Sequence, residues 1–362
     1  MVFSGNFPSL VILLNSFKTF SGVEPGVVRP GFRIRLWSSA IESPSMEPAD
    51  PPPATRSIAP YLVAAFGLFL IWSNSFIAAS YLLGTEGRPA RLDFVSLSVL
   101  RFVPIVPVAL LYCFGLRRRE TVQLIRQYPW RILFCGLLGS PGYNLALYYG
   151  QQNGVPPAVA SLTTALVPLF TMVLAAVFLG ERLTRRRVLA FLVALVGLAI
   201  IALSKGDPRE TLDYGRVLAI TALAPLFWSI YSILAKPVMD RSSPIVFTYL
   251  AISVGSLPLL AIFPWIGREE AARLPVDGWA AVLYLSVLCT LLGYGIWTWL
   301  LRHLPASTLG FTVFFNPPLT TTSKMVLAVV FPTLFVWHLD LLEWLGGGLA
   351  LLGLALAVWP RR

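Results

Sequence analysis

The sequence predicts an all-α integral membrane protein with ten transmembrane helices, arranged as two inverted five-helix repeats. Three observations carry this. Hydrophobic residues make up 56% of the 362 and charged residues only 12%, and the mean hydropathy is +0.74. A soluble domain carries about a quarter charged residues, so a water-exposed surface is underserved here. Long apolar runs recur from Pro60 onward, against roughly 20 residues needed to cross hydrocarbon. Finally, the halves echo each other. Thr171 to Phe178 reads TMVLAAVF and Lys324 to Phe331 reads KMVLAVVF; Gly142-Tyr143 returns as Gly293-Tyr294, and Trp72-Ser73 as Trp228-Ser229. Copies of an odd number of spans sit upside down relative to each other, and inverted repeats are a construction typical of alternating-access carriers.

Taken in order, residues 1–58 form a leader rich in Pro, Ser and Gly, in which Asp50 to Pro53 reads DPPP. The apolar run Leu10 to Leu14 is too short to span and too poorly shaped for a signal peptide. Met46 opens a short cytoplasmic-type leader, so residues 1–45 are expected to be an over-extended translation start, the alternative being a disordered tail. The first repeat, 60–204, holds spans at 60–83, 94–115, 132–150, 154–179 and 188–204. The second, 215–359, holds spans at 217–235, 245–264, 279–301, 306–331 and 341–359. Alternating strand patterns are absent, which leaves helices as the spanning element. The connecting loops are short.

The net charge of +11 raises nucleic acid as a partner. The basic residues instead cluster at the ends of apolar runs, as membrane topology requires, and no nucleic-acid surface is expected. With the N-terminus inside, the inner loops hold Arg117, Arg118, Arg119, Arg126, Arg131, Arg182, Arg185 to Arg187, Lys236, Arg241, Arg302, Arg361 and Arg362. The outer loops hold half as many: Arg88, Arg91, Lys205, Arg209, Arg216, Arg268 and Arg273, several of them beside acids. Both termini are therefore expected in the cytoplasm, with the chain multi-pass in the cell inner membrane. Cys113, Cys135 and Cys289 stand singly in apolar segments with neither disulfide nor zinc spacing, and read as small core residues.

Pro168 to Arg187 reads PLFTMVLAAVFLGERLTRRR: a proline within the span, an apolar run, then Leu-Gly-Glu-Arg-Leu-Thr. This resembles the EamA-type repeat of the drug/metabolite transporter superfamily. Trp72, Ser73, Asn74 and Phe76 in the first span, and Arg101-Phe102 in the second, look like the same repeat. The likeness covers residues 60–359 and is looser in the second copy, where Pro332-Thr333-Leu334-Phe335 replaces Leu-Gly-Glu-Arg. The resemblance implies a ten-helix secondary transporter of small metabolites, often an exporter. It also implies a central cavity lined mainly by spans 1, 3, 4, 6, 8 and 9.

All seventeen acidic residues fall in the leader, the loops or the span ends. Exporters of organic cations and proton-coupled pumps commonly keep an intramembrane carboxylate, so a cation exporter is disfavoured. Two cations do lie within spans, Arg101 and Lys324. A charge in hydrocarbon costs several kcal/mol, so each must face protein, water or ligand. Arg101 reads as a structural group, because the second span is peripheral in the family picture. Lys324, on a cavity span, is balanced between a structural role and attraction of a substrate carboxylate. Glu181 and Arg182 at the inner end of span 4 form a candidate gate, the plain alternative being a solvated helix end.

Polar and aromatic residues gather on the presumed cavity spans, whereas spans 5 and 10 are almost purely Leu, Ala, Val and Gly. Any single Ser or Thr is more readily explained as interhelical glue. The candidate substrate-binding residues are Trp72, Asn74, Tyr143, Asn144, Trp228, Tyr294, Asn316 and Lys324, which are bulkier or costlier to bury unpaired. Gly346 to Gly348 and Gly353 permit close helix packing, with a homodimer contact the lesser alternative. No cofactor or metal site is expected: His303 and His338 lie at opposite faces. A membrane-integral enzyme would want clustered acids or histidines, and a sugar-phosphate or nucleotide-sugar exchanger several interior cations. The expected function is secondary export of a small neutral or zwitterionic metabolite such as an amino acid.

Overall fold

The computed structural model describes residues 59–84, 89–179, 185–203, 208–304, 309, 312–332 and 341–358, and among them every regular element is a helix. The Glu181-Arg182 pair lies outside the described residues. The elements are α1 (Ala59–Leu83), α2 (Phe94–Leu116), α3 (Arg118–Gln127), α4 (Pro129–Leu137 continuing through Tyr143–Gln152), α5 (Pro157–Thr164) and α6 (Val167–Leu179). They continue as α7 (Arg185–Leu203), α8 (Pro208–Thr221), α9 (Leu223–Met239), α10 (Pro244–Arg273), α11 (Val276–His303), α12 (Asn316–Val330) and α13 (Leu341–Val358).

Local chemistry sets the boundaries. Gly84 (φ +71°) closes α1 in the left-handed conformation, where an added Cβ would strike the Ala90 backbone. Asp93 starts α2 by accepting from the amides of Val95 (2.7 Å) and Ser96 (3.0 Å). Prolines open α4, α5 and α10, where a missing N–H costs nothing.

Among the described residues, five continuous helices are long and apolar enough to cross a membrane: Pro60–Leu83, Phe94–Leu116, Leu212–Met239, Pro244–Arg273 and Val276–His303. The other expected spans fall on α4, α5 with α6, α7, the stretch ending in α12, and α13. Two of these are broken rather than continuous. Between α5 and α6 the chain makes short turns, Ala165 N–H to Leu162 O and Leu166 N–H to Thr163 O. A 3₁₀ turn, Val313–Phe315, precedes α12. Large apolar side chains stand exposed in rows, Leu62, Val63, Phe66 and Leu70 on α1, and Met325, Val326, Val329 and Val330 on α12. In a chain with helices of this length and apolarity, such rows suit contact with lipid.

The centre is held by close backbone crossings. Gly136 of α4 meets Gly255 of α10, each occupying the space where the other's Cβ would go. Gly346 of α13 packs on α7, where a Cβ would lie 2.5 Å from Gly197 O. Of that glycine stripe, Gly346 is therefore used within the chain, while a side chain at Gly348 would meet open space. The three cysteines are buried, as apolar core residues should be.

Candidate functional site

The repeated sequence pairs meet at one place. Trp72 of α1, Tyr143 of α4, Trp228 of α9 and Tyr294 of α11 form a single aromatic cluster, with Trp72–Trp228 centroids 5.8 Å apart and Trp228–Tyr294 5.2 Å. The cross-half contacts are reciprocal: Trp72 meets Tyr294 at 6.2 Å, and its counterpart Trp228 meets Tyr143 at 5.4 Å. The serines that follow the tryptophans meet equivalent positions through opposite bonds, Ser229 donating from its hydroxyl and Ser73 accepting at its carbonyl. Ser229 Oγ donates to Val167 O (3.0 Å), and Thr320 Oγ1 donates to Ser73 O (3.2 Å). Counting back four residues from Thr171 and Lys324 reaches Val167 and Thr320, so these partners are sequence equivalents too.

Two π-helical segments shape the cluster, Leu138–Gly142 in α4 and Tyr284–Leu292 in α11. Each ends just before the repeated tyrosine. An inserted π turn rotates the following residues relative to the preceding ones and is frequent at functional sites. Thr290 Oγ1 bonds Leu285 O (2.8 Å), five residues back, in keeping with the wider ladder. Trp72 Nε1 donates to Cys289 O (2.9 Å) and Tyr294 OH to Gly139 O (3.0 Å), so both segments also anchor aromatic side chains. At Gly293 a Cβ would lie 2.5 Å from Trp72 Nε1, which explains why that position has no side chain.

The cluster walls a cavity of about 40 Å³ between α1, α2, α4, α5, α6, α9, α11 and the start of α12. Phe69, Trp72 and Phe76 line it from one face of α1, and Arg101, Tyr143, Trp228, Tyr294 and Asn316 contribute from the other elements. Space of that size holds a few water molecules, so the helices must part before a metabolite enters. Among the lining residues there is one cation and no acid.

That cation is Arg101. It is 4% exposed, its Nε donates to Thr290 Oγ1 (2.8 Å) and its Nη1 to the Tyr148 hydroxyl. The peripheral position expected for span 2 does not match this: the polar turn of α2 faces inward because α11 supplies a hydroxyl for it. Sequence spacing alone could not reveal the packing of span 2 on span 8. The uncompensated cost of a charge amid apolar residues was the available signal.

Other candidates separate. Asn74 is two residues beyond Trp72, nearly half a turn round the helix, and lines a different groove of about 310 Å³ with Tyr81, Asp277, Tyr284 and Leu327. Its Nδ2 donates to Leu70 O (2.8 Å). Asn144 is buried and donates to Ser140 O (2.7 Å), bracing the π segment rather than lining the cavity. Lys324 is buried, 6% exposed, but is not among the lining residues.

Further ties join the helices outside the cavity. In the neighbouring groove, Asp277 accepts from the Tyr81 hydroxyl and pairs with Arg91 Nη1 (2.5 Å), while that guanidinium lies 4.3 Å from the Tyr81 ring centre. Elsewhere, Lys236 Nζ donates to Leu301 O (3.1 Å), and Tyr61 stacks on His303 with centroids 5.3 Å apart. On α3, outside the spans, Glu120 bonded to Arg117 holds that guanidinium above its usual range.

Comparison with known proteins agrees with this arrangement. The profile described as "EamA-like transporter family" matches twice, at residues 63–203 and 215–359. A protein of Streptantibioticus cattleyicolor described as "Probable terminal-alkyne amino-acid exporter" is 31% identical over 288 residues, 79% of this chain and 89% of its own. A "Probable amino-acid metabolite efflux pump" of Salmonella typhimurium is 27% identical over 43% of this chain and 57% of its own. One solved crystal structure superposes with a TM-score of 0.53 at 21% identity, covering 83% of this chain and 98% of the other, a likeness of fold alone. With both halves matched, the chain belongs to the EamA-like transporter family, and is a small-molecule transporter of the membrane rather than an enzyme.

Proposed function

We propose that this protein is a secondary exporter of a small neutral or zwitterionic metabolite, an amino acid or close relative. It works by alternating access, as ten helices built from two inverted halves, 60–204 and 215–359, in the cell inner membrane with both termini cytoplasmic. The carrying observation is the central cavity, whose wall draws the same residue pair from each half in reciprocal contacts. Equivalent partners exchanged between halves are what a pseudo-two-fold axis in the membrane plane requires, and binding at such a repeat interface is the usual arrangement in carriers. Broken helices on both sides, at Ala165-Leu166 and Val313–Phe315, fit the same design.

The cavity's charge selects the substrate class. One guanidinium with no facing carboxylate suits a carboxylate-bearing substrate and repels organic cations. The two relatives whose descriptions mention amino acids point the same way. An exchanger of sugar phosphates or nucleotide sugars is the second reading, favoured only by Arg101. Phosphate recognition generally recruits several charged donors, which the described lining lacks. Within the proposal, Trp72, Tyr143, Trp228 and Tyr294 wall the substrate, Arg101 and Asn316 meet its polar groups, and Asn74, Asn144 and Lys324 support the helices around it.

Purified protein in proteoliposomes, offered a labelled panel of amino acids, sugar phosphates and organic cations, tests this directly. Uptake of amino acids with apolar side chains is expected. Transport confined to organic cations would show the charge argument to be wrong.

A further inference from the structure

A buried guanidinium demands an anion, and the described residues supply none. Two of the five N–H donors of Arg101 are taken by Thr290 and Tyr148, both neutral. No described carboxylate forms an ion pair with it. A buried charge left without an opposite partner is strongly destabilising, and an anionic group bound beside it would relieve that cost.

The same cavity is lined by a complementary group. Asn316 is 4% exposed, lines the cavity, and its Oδ1 is buried without a hydrogen-bond partner. A buried acceptor left unmet costs about 1–3 kcal/mol, so its retention needs a reason. The backbone around it is also rich in acceptors. Pro317 and Pro318 bring no N–H, so the carbonyls of Val313 and Phe314 lose their usual donors one turn on, and Val313 O takes the Asn316 amide in a 3₁₀ turn instead. On the facing element Pro168 likewise withholds a donor from the carbonyl of Thr164, another lining residue. The Trp72 and Trp228 rings, 5.8 Å apart and at 89°, line the same cavity.

We propose that Arg101 and Asn316 form the two jaws of an α-amino-acid clamp, Arg101 receiving the carboxylate and the Asn316 Oδ1 the ammonium. This rests on the amino-acid reading above and sharpens it. The substrate's side chain lies against Phe69, Trp72 and Trp228, which admits slender apolar or flat chains. Side chains bearing a second charge are rejected, because the wall offers nothing to pair with them. The ammonium gains from the indole faces what a carboxylate would otherwise supply. The clamp specifies both ends of the molecule, so loss of either end is felt separately.

Three matched probes separate the jaws: L-norleucine, L-norleucinamide, which lacks the carboxylate, and 2-hydroxyhexanoate, which lacks the ammonium. Binding is read from quenching of tryptophan fluorescence in the purified full chain, since Trp72 and Trp228 line the cavity, and transport is read in proteoliposomes. The wild type should prefer norleucine over each analogue by roughly 10- to 100-fold, the range for hydrogen bonds to charged groups. Arg101→Gln should abolish the preference over the amide while keeping that over the hydroxy acid, and Asn316→Leu should do the reverse. Retention by Arg101→Gln of the full preference over the amide overturns the clamp. Should that variant fail to fold, Asn316→Leu decides alone: an unchanged preference over the hydroxy acid overturns it equally. A wild type that carries other metabolites but none of these probes sinks the amino-acid reading itself, whereas norleucine transport with unaltered selectivity in both variants sinks only the clamp.

Discussion

At the scale of single residues, function separates side chains that look alike in the sequence. Arg101 and Lys324 are both cations inside apolar runs, yet only Arg101 lines the cavity. Lys324→Met should therefore lower carriage of norleucine and norleucinamide by the same factor, measured in proteoliposomes; a selective loss of the acid would return Lys324 to the binding site. Trp228 touches Trp72, Tyr143, Tyr231, Tyr294 and Trp297, more rings than any of its neighbours. Trp228→Ala should weaken norleucine binding by roughly 10-fold or more, since aromatic pairs are worth about 0.5–1.5 kcal/mol each beyond area burial. Trp228→Phe, which keeps a ring there, should lose much less. Of the candidates read from the sequence, the four repeated aromatics and Asn316 come together at the cavity. Asn74 does not, because two positions along a helix point to nearly opposite sides.

At the scale of elements, the site depends on irregularity. The π segments of α4 and α11 set the azimuth of Tyr143 and Tyr294, and the breaks at Ala165-Leu166 and Val313–Phe315 bring backbone acceptors to the cavity. Prolines announce the breaks in the sequence. The π segments carry no such mark, since apolar runs read the same with four or five residues between bonded groups. Glycines fix the spacing. Gly293→Ala should displace the Trp72 indole and cut substrate affinity with little effect on thermal stability, as seen by tryptophan fluorescence and by melting in detergent. Gly136→Val acts where two backbones touch and should instead lower the melting temperature. Overpacking of this kind costs about 1–3 kcal/mol. Equal stability of Gly136→Val and wild type would show that α4 and α10 do not cross there.

At the scale of the whole molecule, the alternating access proposed above requires ties between the helices around the cavity to break in turn. The Arg91–Asp277 pair is partly exposed, so solvent screens it and it holds only weakly. Asp277→Ala should accordingly raise labelling of a Ser75→Cys reporter by a membrane-impermeant thiol reagent only modestly, roughly two- to fivefold. No change would show that Tyr81, Arg91 and Asp277 stabilise a loop and do not hold the cavity shut. The membrane class, the repeated halves and the aromatic pairs were legible in the sequence alone. Hydrophobic length and repeated letters are properties of the chain itself, and the bilayer enforces helices wherever apolar runs are long. Tertiary structure alone decided that Arg101 faces the cavity and Asn74 does not, that Asn144 braces a π segment, and that Trp72 pairs with Tyr294. Which side of a helix is buried depends on which distant helix packs against it, and in lipid that choice is made by shape and hydrogen bonding, which a hydropathy pattern does not record.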